Sequence, residues 1–163
     1  MTRLEVPVQL RWSDMDAYQH VNNVEMFRLL EEARIEAFWS HPAEADGAAA
    51  VGTWPTAILD AGPGAALSTL VARQEIEYVH PLGYRRTPVI VEMWIGRLGG
   101  ASIDVCYEVR DAPSSAGGQV YARAITTLVL VESASGEPRR FGATERATWE
   151  PYIEEPVALR RRH

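Results

Sequence analysis

Residues 89–110, VIVEMWIGRLGGASIDVCYEVR, decide the class of fold. Val89, Val91, Met93 and Ile95 occupy every second position of the first half, and apolar residues with a period of two line one face of a half-buried strand. After Gly99-Gly100 the alternation resumes, with Ile103, Val105, Tyr107 and Val109 set against Ser102, Asp104, Cys106 and Glu108. Two such runs joined by a glycine pair predict an antiparallel hairpin with a two-residue turn, since glycine adopts the positive φ that tight hairpin turns require.

The same pattern extends in both directions. Residues 70–80 place Ala72, Gln74, Ile76 and Tyr78 on one face, and residues 120–131 form a further strand after the Pro/Ser/Gly-rich 112–119. Near the N-terminus Leu4, Val6, Val8, Leu10 and Trp12 alternate as a strand. From Asn23 to about Ser40 there is no Pro or Gly, and Phe27, Leu30, Arg34, Ala37 and Phe38 recur at helical spacing, as expected of a helix buried on a broad face. Residues 42–63, rich in Ala, Gly and Pro, predict a loop with a short strand near 56–59. The order of strand, helix and then four strands with hairpin-length links predicts an α+β fold with a largely antiparallel sheet and the helix on one face. A doubly wound nucleotide-binding fold is excluded, because no helices separate the later strands and neither GxGxxG nor GxxxxGK[ST] occurs. Residues 1–150 are expected to form one domain and 151–163 a C-terminal tail.

The chain has 163 residues, 47% of them hydrophobic and 23% charged, with a formal charge of -6. That composition belongs to a globular domain and argues against a general nucleic-acid binder, with Arg160-Arg161-Arg162 read as a solvated end. Cys106 is the sole cysteine. No signal-peptide pattern or membrane-length apolar run is present, so the expected location is the cytoplasm, with no membrane partner.

The polar residues cluster just before the helix, in 11–25, RWSDMDAYQHVNNVE. Asn22 is placed as N-cap and Glu25 three residues later, a capping-box spacing, while Val21 and Met26 suit a hydrophobic staple. The helix then begins at Asn23, whose N–H has no intrahelical partner and is either hydrated or free to bind an oxygen that gains negative charge. Asp16, on the connection with Tyr18 and His20, is either a turn residue or an ionised carboxylate able to attack an acyl carbon or take a proton from water. His20 either fixes the turn or orients the water. A carboxylate and an oxyanion donor suffice for a thioester, because a thiol of pKa near 8.5 can leave without a general acid. No GxSxG motif supports a serine hydrolase, and His20, His41, His80 and His163 lack metal-ligand spacing, so no metal is expected.

The run Asp14-Met15-Asp16-Ala17-Tyr18-Gln19-His20-Val21-Asn22-Asn23, followed by Glu31-Glu32-Ala33-Arg34, resembles the hotdog-fold acyl-CoA thioesterases of the 4-hydroxybenzoyl-CoA thioesterase type. The resemblance implies a long central helix wrapped by a five- to six-stranded antiparallel sheet, and a homodimer or homotetramer with sites between subunits. It also implies Asp16 as the catalytic carboxylate and the Asn23 N–H as the donor to the thioester carbonyl, with His20 beside them and Asn22 and Tyr18 shaping the site. The segment is also similar to acyl-ACP thioesterases, although Tyr18 stands where their polar site has Asn. Other members use a Glu of the central helix as base; here Glu25, Glu31 and Glu32 are assigned to capping and ion pairing instead. The implied substrate is acyl-CoA, coenzyme A being part of the substrate and no separate cofactor being needed. Arg85, Arg86, Gly100, Ala101 and Ser102 are the candidates for contacts to CoA, and Met26, Phe27 and Trp54 for the acyl chain. The competing expectations are an acyl-CoA-binding protein without turnover and a hotdog hydratase or dehydratase.

Overall fold

The computed structural model describes residues 2–40 and 54–160. Five strands, β1 (Leu4–Val8), β2 (Leu67–Tyr78), β3 (Val89–Leu98), β4 (Ser102–Arg110) and β5 (Val120–Glu132), form one sheet in the order β1-β3-β4-β5-β2. Every neighbouring pair is antiparallel. Helix α1 (Asn23–Phe38), 16 residues long, turns Met26, Leu29, Leu30, Ala33, Ala37 and Phe38 into the core. These meet the inner face of the sheet, where Val91, Met93, Ile95, Val105, Tyr107 and Leu130 are fully buried. The architecture is α+β, with one helix on one face of a five-stranded antiparallel sheet. Among the described residues no helix is long and apolar enough to cross a membrane.

Several expectations change. The first strand stops at Val8, and Trp12, expected on its apolar face, begins a 3-10 turn (Trp12–Asp14) and is 69% exposed. The turn after β3 takes in Gly99, Gly100 and Ala101, because Leu98 pairs with Ile103 and the Gly99 N–H donates to the Ser102 carbonyl at 2.7 Å. The short strand near 56–59 reduces to one bridge between Leu59 and Trp39. Thr56 is otherwise committed, its hydroxyl donating to the Ala37 carbonyl and its own carbonyl accepting from the Trp149 indole. Residues 42–53 of that predicted loop lie outside the described residues. β2 is an edge strand, and Leu70, Val71 and Tyr78 remain exposed. A bulge between Val71 and Arg73 breaks the simple alternation expected there. A second helix, α2 (Ala143–Trp149), has no counterpart in the sequence pattern; it inserts Trp149 edge-on between Phe38 and Phe141.

Past residue 150 the chain stays on the sheet. Ile153 bridges to Ile95 beyond the end of β1, and the Glu154 N–H donates to the Ile95 carbonyl. From there the chain crosses the outer face of the sheet. Trp94 on β3 donates its indole N–H to the Glu155 carbonyl, Val157 packs with Trp94 and Cys106, and Leu159 and Ile125 pack against that cluster. The Arg160 N–H then reaches Glu77 on β2 at 2.8 Å. Gly96 admits this crossing: a Cβ there would lie 2.7 Å from Cys106 Sγ and 3.3 Å from the Pro156 Cα. Arg161 and Arg162 lie outside the described residues. Arg3 closes the seam, pairing with Glu154 at 2.6 Å, Glu108 at 3.2 Å and Glu92 at 3.3 Å while its guanidinium lies over Trp94.

Candidate active site

The polar motif folds into a miniature hairpin. The Asn22 N–H donates to the Asp14 carbonyl, Met15 bridges Val21, and the Asp16 N–H donates to the His20 carbonyl at 2.9 Å. Residues 14–16 and 20–22 are therefore its two arms, with 17–19 the bend. Gln19 closes it at φ 63, the one non-glycine residue of positive φ among those described, a conformation that costs free energy and is held by the bonds around it. The second arm is tied on its other side, since the Val21 N–H donates to the Leu82 carbonyl at 2.7 Å and His20 bridges Gly83. Trp12 and Tyr84 pack edge to face at 5.2 Å beneath the same junction.

The two aspartates of the motif have opposite surroundings. Asp14 is fully buried and accepts from the Arg11 backbone N–H at 2.7 Å and from the Arg11 guanidinium at 2.8 and 3.1 Å. Its carboxylate is consumed in holding the 3-10 turn. Asp16 is partly exposed, and its Oδ1 accepts from the backbone N–H groups of Tyr18 at 2.8 Å and His20 at 3.3 Å. Its Oδ2 has no partner among the described residues. One oxygen thus fixes the orientation of the carboxylate while the other stays available.

Helix α1 starts where the cap was read. Asn22 Oδ1 accepts from the Val24 N–H at 2.8 Å, and the Asn23 N–H has no partner among the described residues. The capping box does not form: the Asn22 N–H is bound to the Asp14 carbonyl, and Glu25 faces Arg11 at 3.6 Å and Arg28 at 3.7 Å. The Asn23 carbonyl accepts from the Tyr78 hydroxyl at 3.0 Å, a contact between β2 and the helix entrance that no local pattern signals. Burial raises the Tyr78 pKa, so the hydroxyl remains a donor.

The remaining candidates divide. His20 enters through its backbone, and its ring is exposed. Tyr18, 81% exposed, likewise contributes a backbone N–H. Arg85 is held by Thr87 Oγ1 at 2.8 and 2.9 Å, and the Arg86 carbonyl accepts from the Gln9 side chain; both lie on the segment that follows Gly83 and so sit at the motif's end of the sheet. Gly100, Ala101 and Ser102 do not. They lie at the other end of β3, ten residues long, or about 30 Å away within one chain. Their turn is covered as well: the Gly100 carbonyl accepts from the Phe141 N–H, the Gly99 carbonyl from Arg146 at 2.7 Å, and a Cβ on Gly100 would meet Arg140 at 2.8 Å. Within one chain the five CoA candidates therefore lie at two opposite ends of the sheet. Met26 is core, Phe27 is partly buried against it, and Trp54 lines a cleft with β1 and the outer side of α1.

The profile of the thioesterase-like superfamily matches residues 10–155, from the end of the first strand through the motif to the outer-face crossing. The chain belongs to the thioesterase-like superfamily. Solved structures of similar fold include a thioesterase complexed with coenzyme A and Zn from Thermus thermophilus, 24% identical over 93% of this chain and 95% of that one, TM-score 0.64. The PA2801 protein of Pseudomonas aeruginosa is 28% identical over 89% and 95%, TM-score 0.62. A thioesterase-superfamily protein from Jannaschia sp. CCS1 is 23% identical over 94% of both chains, TM-score 0.70. No match is found among the curated proteins. The Asp16 hairpin and the first turn of α1 both lie inside the matched span, and there a carboxylate and an amide unpaired among the described residues belong to one bonded unit.

Proposed function

We propose that this thioesterase-like protein hydrolyses acyl-CoA to free acid and coenzyme A, on a hotdog fold, with Asp16 as the catalytic carboxylate and the Asn23 N–H as oxyanion donor. The observation that carries the reading is the division of Asp16, whose Oδ1 is bonded to two backbone amides while Oδ2 is unpartnered among the described residues. In the general-base form, Oδ2 takes a proton from water as its oxygen bonds to the thioester carbon. The carbonyl oxygen gains charge against the Asn23 N–H, and the C–S bond then breaks with departure of the thiolate. In the nucleophilic form Oδ2 bonds to the acyl carbon first, thiolate leaves, and water hydrolyses the anhydride. A single donor of this kind lowers such a barrier by about 2.7–4 kcal/mol.

A CoA-type ligand is supported by the coenzyme A complex of the Thermus thermophilus relative. Arg85 and Arg86 are its nearest candidate cations on this chain, and Gly100, Ala101 and Ser102 reach the same ligand only if a second subunit supplies them. A homodimer or homotetramer therefore goes with this reading. The decisive experiment is thiol release over short, long, branched and aromatic acyl-CoAs with the wild type and Asp16→Asn. The expected loss in the variant is about 100-fold or more; full hydrolysis by a folded Asp16→Asn protein overturns the assignment. Tight acyl-CoA binding by the wild type without thiol release overturns it in favour of a binding protein.

A further inference from the structure

We infer that the exposed aromatic pair of Trp12 and Tyr84, with Arg85 and Arg86 beside it, seats the adenosine phosphate end of acyl-CoA. The site thereby selects coenzyme A over carrier-protein thioesters, which share the phosphopantetheine arm and lack the adenosine. The inference rests on the thioesterase reading above, which puts the thioester at Asp16 and the Asn23 amide. The aromatic pair lies close to that point. The Asp16 N–H donates to the His20 carbonyl and His20 bridges Gly83, so Gly83 is two strand spacings, about 10 Å, from Asp16. Tyr84 follows it, within reach of the arm that joins the sulfur of coenzyme A to its nucleotide. Two contacts tie residues 9–12 to residues 84–86. The Gln9 side chain donates to the Arg86 carbonyl at 2.9 Å, and the Trp12 and Tyr84 rings meet at 5.2 Å.

Two features of this patch match an adenine nucleotide. The first is open aromatic surface. Trp12 is 69% exposed and Tyr84 40%, although an indole in a folded chain buries most of its area. Their planes stand at 82°, so whichever ring presents its edge, Tyr84 leaves at least one face of Trp12 uncovered. A purine stacks on such a face through its own π surface. The second feature is uncompensated positive charge, on a chain whose formal charge is -6. The Arg85 guanidinium is fixed by two bonds to a neutral group, Thr87 Oγ1. The side chain of Arg86 is exposed and has no partner among the described residues, its main chain being held by Gln9. Neither arginine faces a carboxylate among the described residues, whereas Arg11, next to Trp12 in the chain, is paired with Asp14 and Glu25. A nucleotide answers both features, with a base for the ring and phosphates that accept bidentate bonds from guanidinium groups. An acyl chain answers neither, and a pantetheine arm alone brings no base.

The test compares kcat/KM for the acyl-CoA hydrolysed fastest in the panel above and for the pantetheine thioester of the same acid. Wild type, Trp12→Ala and Arg86→Gln are assayed, with folding checked by circular dichroism; should Trp12→Ala not fold, Arg86→Gln decides. The wild type is expected to favour the CoA thioester at least about tenfold, with Trp12→Ala lowering that ratio about fivefold or more and Arg86→Gln severalfold. Equal use of both thioesters by the wild type, or a ratio unchanged in a folded variant, overturns the inference while leaving the thioesterase reading intact. A Trp12→Ala protein with fewer subunits than the wild type in analytical ultracentrifugation assigns the pair to a contact between copies and also overturns it. If the wild type releases thiol from no acyl-CoA, the thioesterase reading fails and calorimetric titration with adenosine 3′,5′-bisphosphate decides the site. Weaker binding by the folded variants than by the wild type then supports it; equal binding, or none by the wild type, overturns it.

Discussion

The phenolic hydroxyl of Tyr78 donates to the carbonyl oxygen of Asn23 at 3.0 Å, so an edge strand holds the first turn of α1 by the residue whose own amide faces the proposed reaction. Tyr78 touches no reacting atom in this arrangement; it is a positioning residue. Tyr78→Phe keeps the ring and removes one hydrogen bond, a net interaction of about 1 kcal/mol. The expected result is a fall in kcat of about three- to tenfold with KM nearly unchanged. Steady-state kinetics on one acyl-CoA check this, and an equal change in both parameters contradicts a role in orienting the donor.

Asp14 and Asp16 separate stability from chemistry. Because Asp14 is fully buried with three bonds from Arg11, Asp14→Ala is expected to lower unfolding free energy by about 2 kcal/mol. Asp16 is partly exposed and keeps its bonds to Tyr18 and His20 through an amide oxygen when changed to Asn. Asp16→Asn is therefore expected within about 0.5 kcal/mol of wild type. Urea unfolding of the two variants side by side checks the contrast, and comparable destabilisation by both contradicts it.

The outer-face ion pairs give stability a defined pH dependence. The hydrogen bond and charge of Arg3 hold the Glu154 carboxyl below its ordinary 4.5, outweighing burial, which pushes it upward. A carboxyl with a lowered folded pKa contributes stability above its unfolded value and loses it as the pH falls from near 4.5 through the lower folded value. Glu154→Gln should accordingly be less stable than wild type at pH 7, with the gap closing as the solution is acidified through that window. Thermal melts from pH 7 to pH 3 measure this, and a gap that stays constant contradicts it.

Sequence and structure agree where local physics decides the outcome. β3, β4 and β5 alternate because one face meets α1, and their limits lie close to those of the alternating runs. Asn22 marks the start of α1 because its short side chain brings an acceptor oxygen back to the Val24 N–H, as the side chains of Asp, Ser and Thr also do at helix starts. Glu25 departs from its expected role because the capping box depends on a free Asn22 N–H, which the hairpin takes for Asp14. The outer-face crossing leaves no signal in the sequence because its apolar anchors, Val157 and Leu159, are too few to show a period. The split of the CoA candidates, by contrast, is legible in the sequence: Arg85 and Arg86 precede β3, Gly100 follows it, and a ten-residue strand lies between.

The crossing segment after Glu150 also bears on the order in which the chain matures. Its contacts with Ile95, Trp94, Cys106, Ile125 and Glu77 come from four different strands, so it has nothing to bind until β2, β3, β4 and β5 are already side by side. These are the last described residues to leave the ribosome, and they fasten a surface assembled from everything before them. Such late, distant contacts slow folding, and on the growing chain they leave the outer face of the sheet, Trp94 and Cys106 included, uncovered until every strand beneath it has been made.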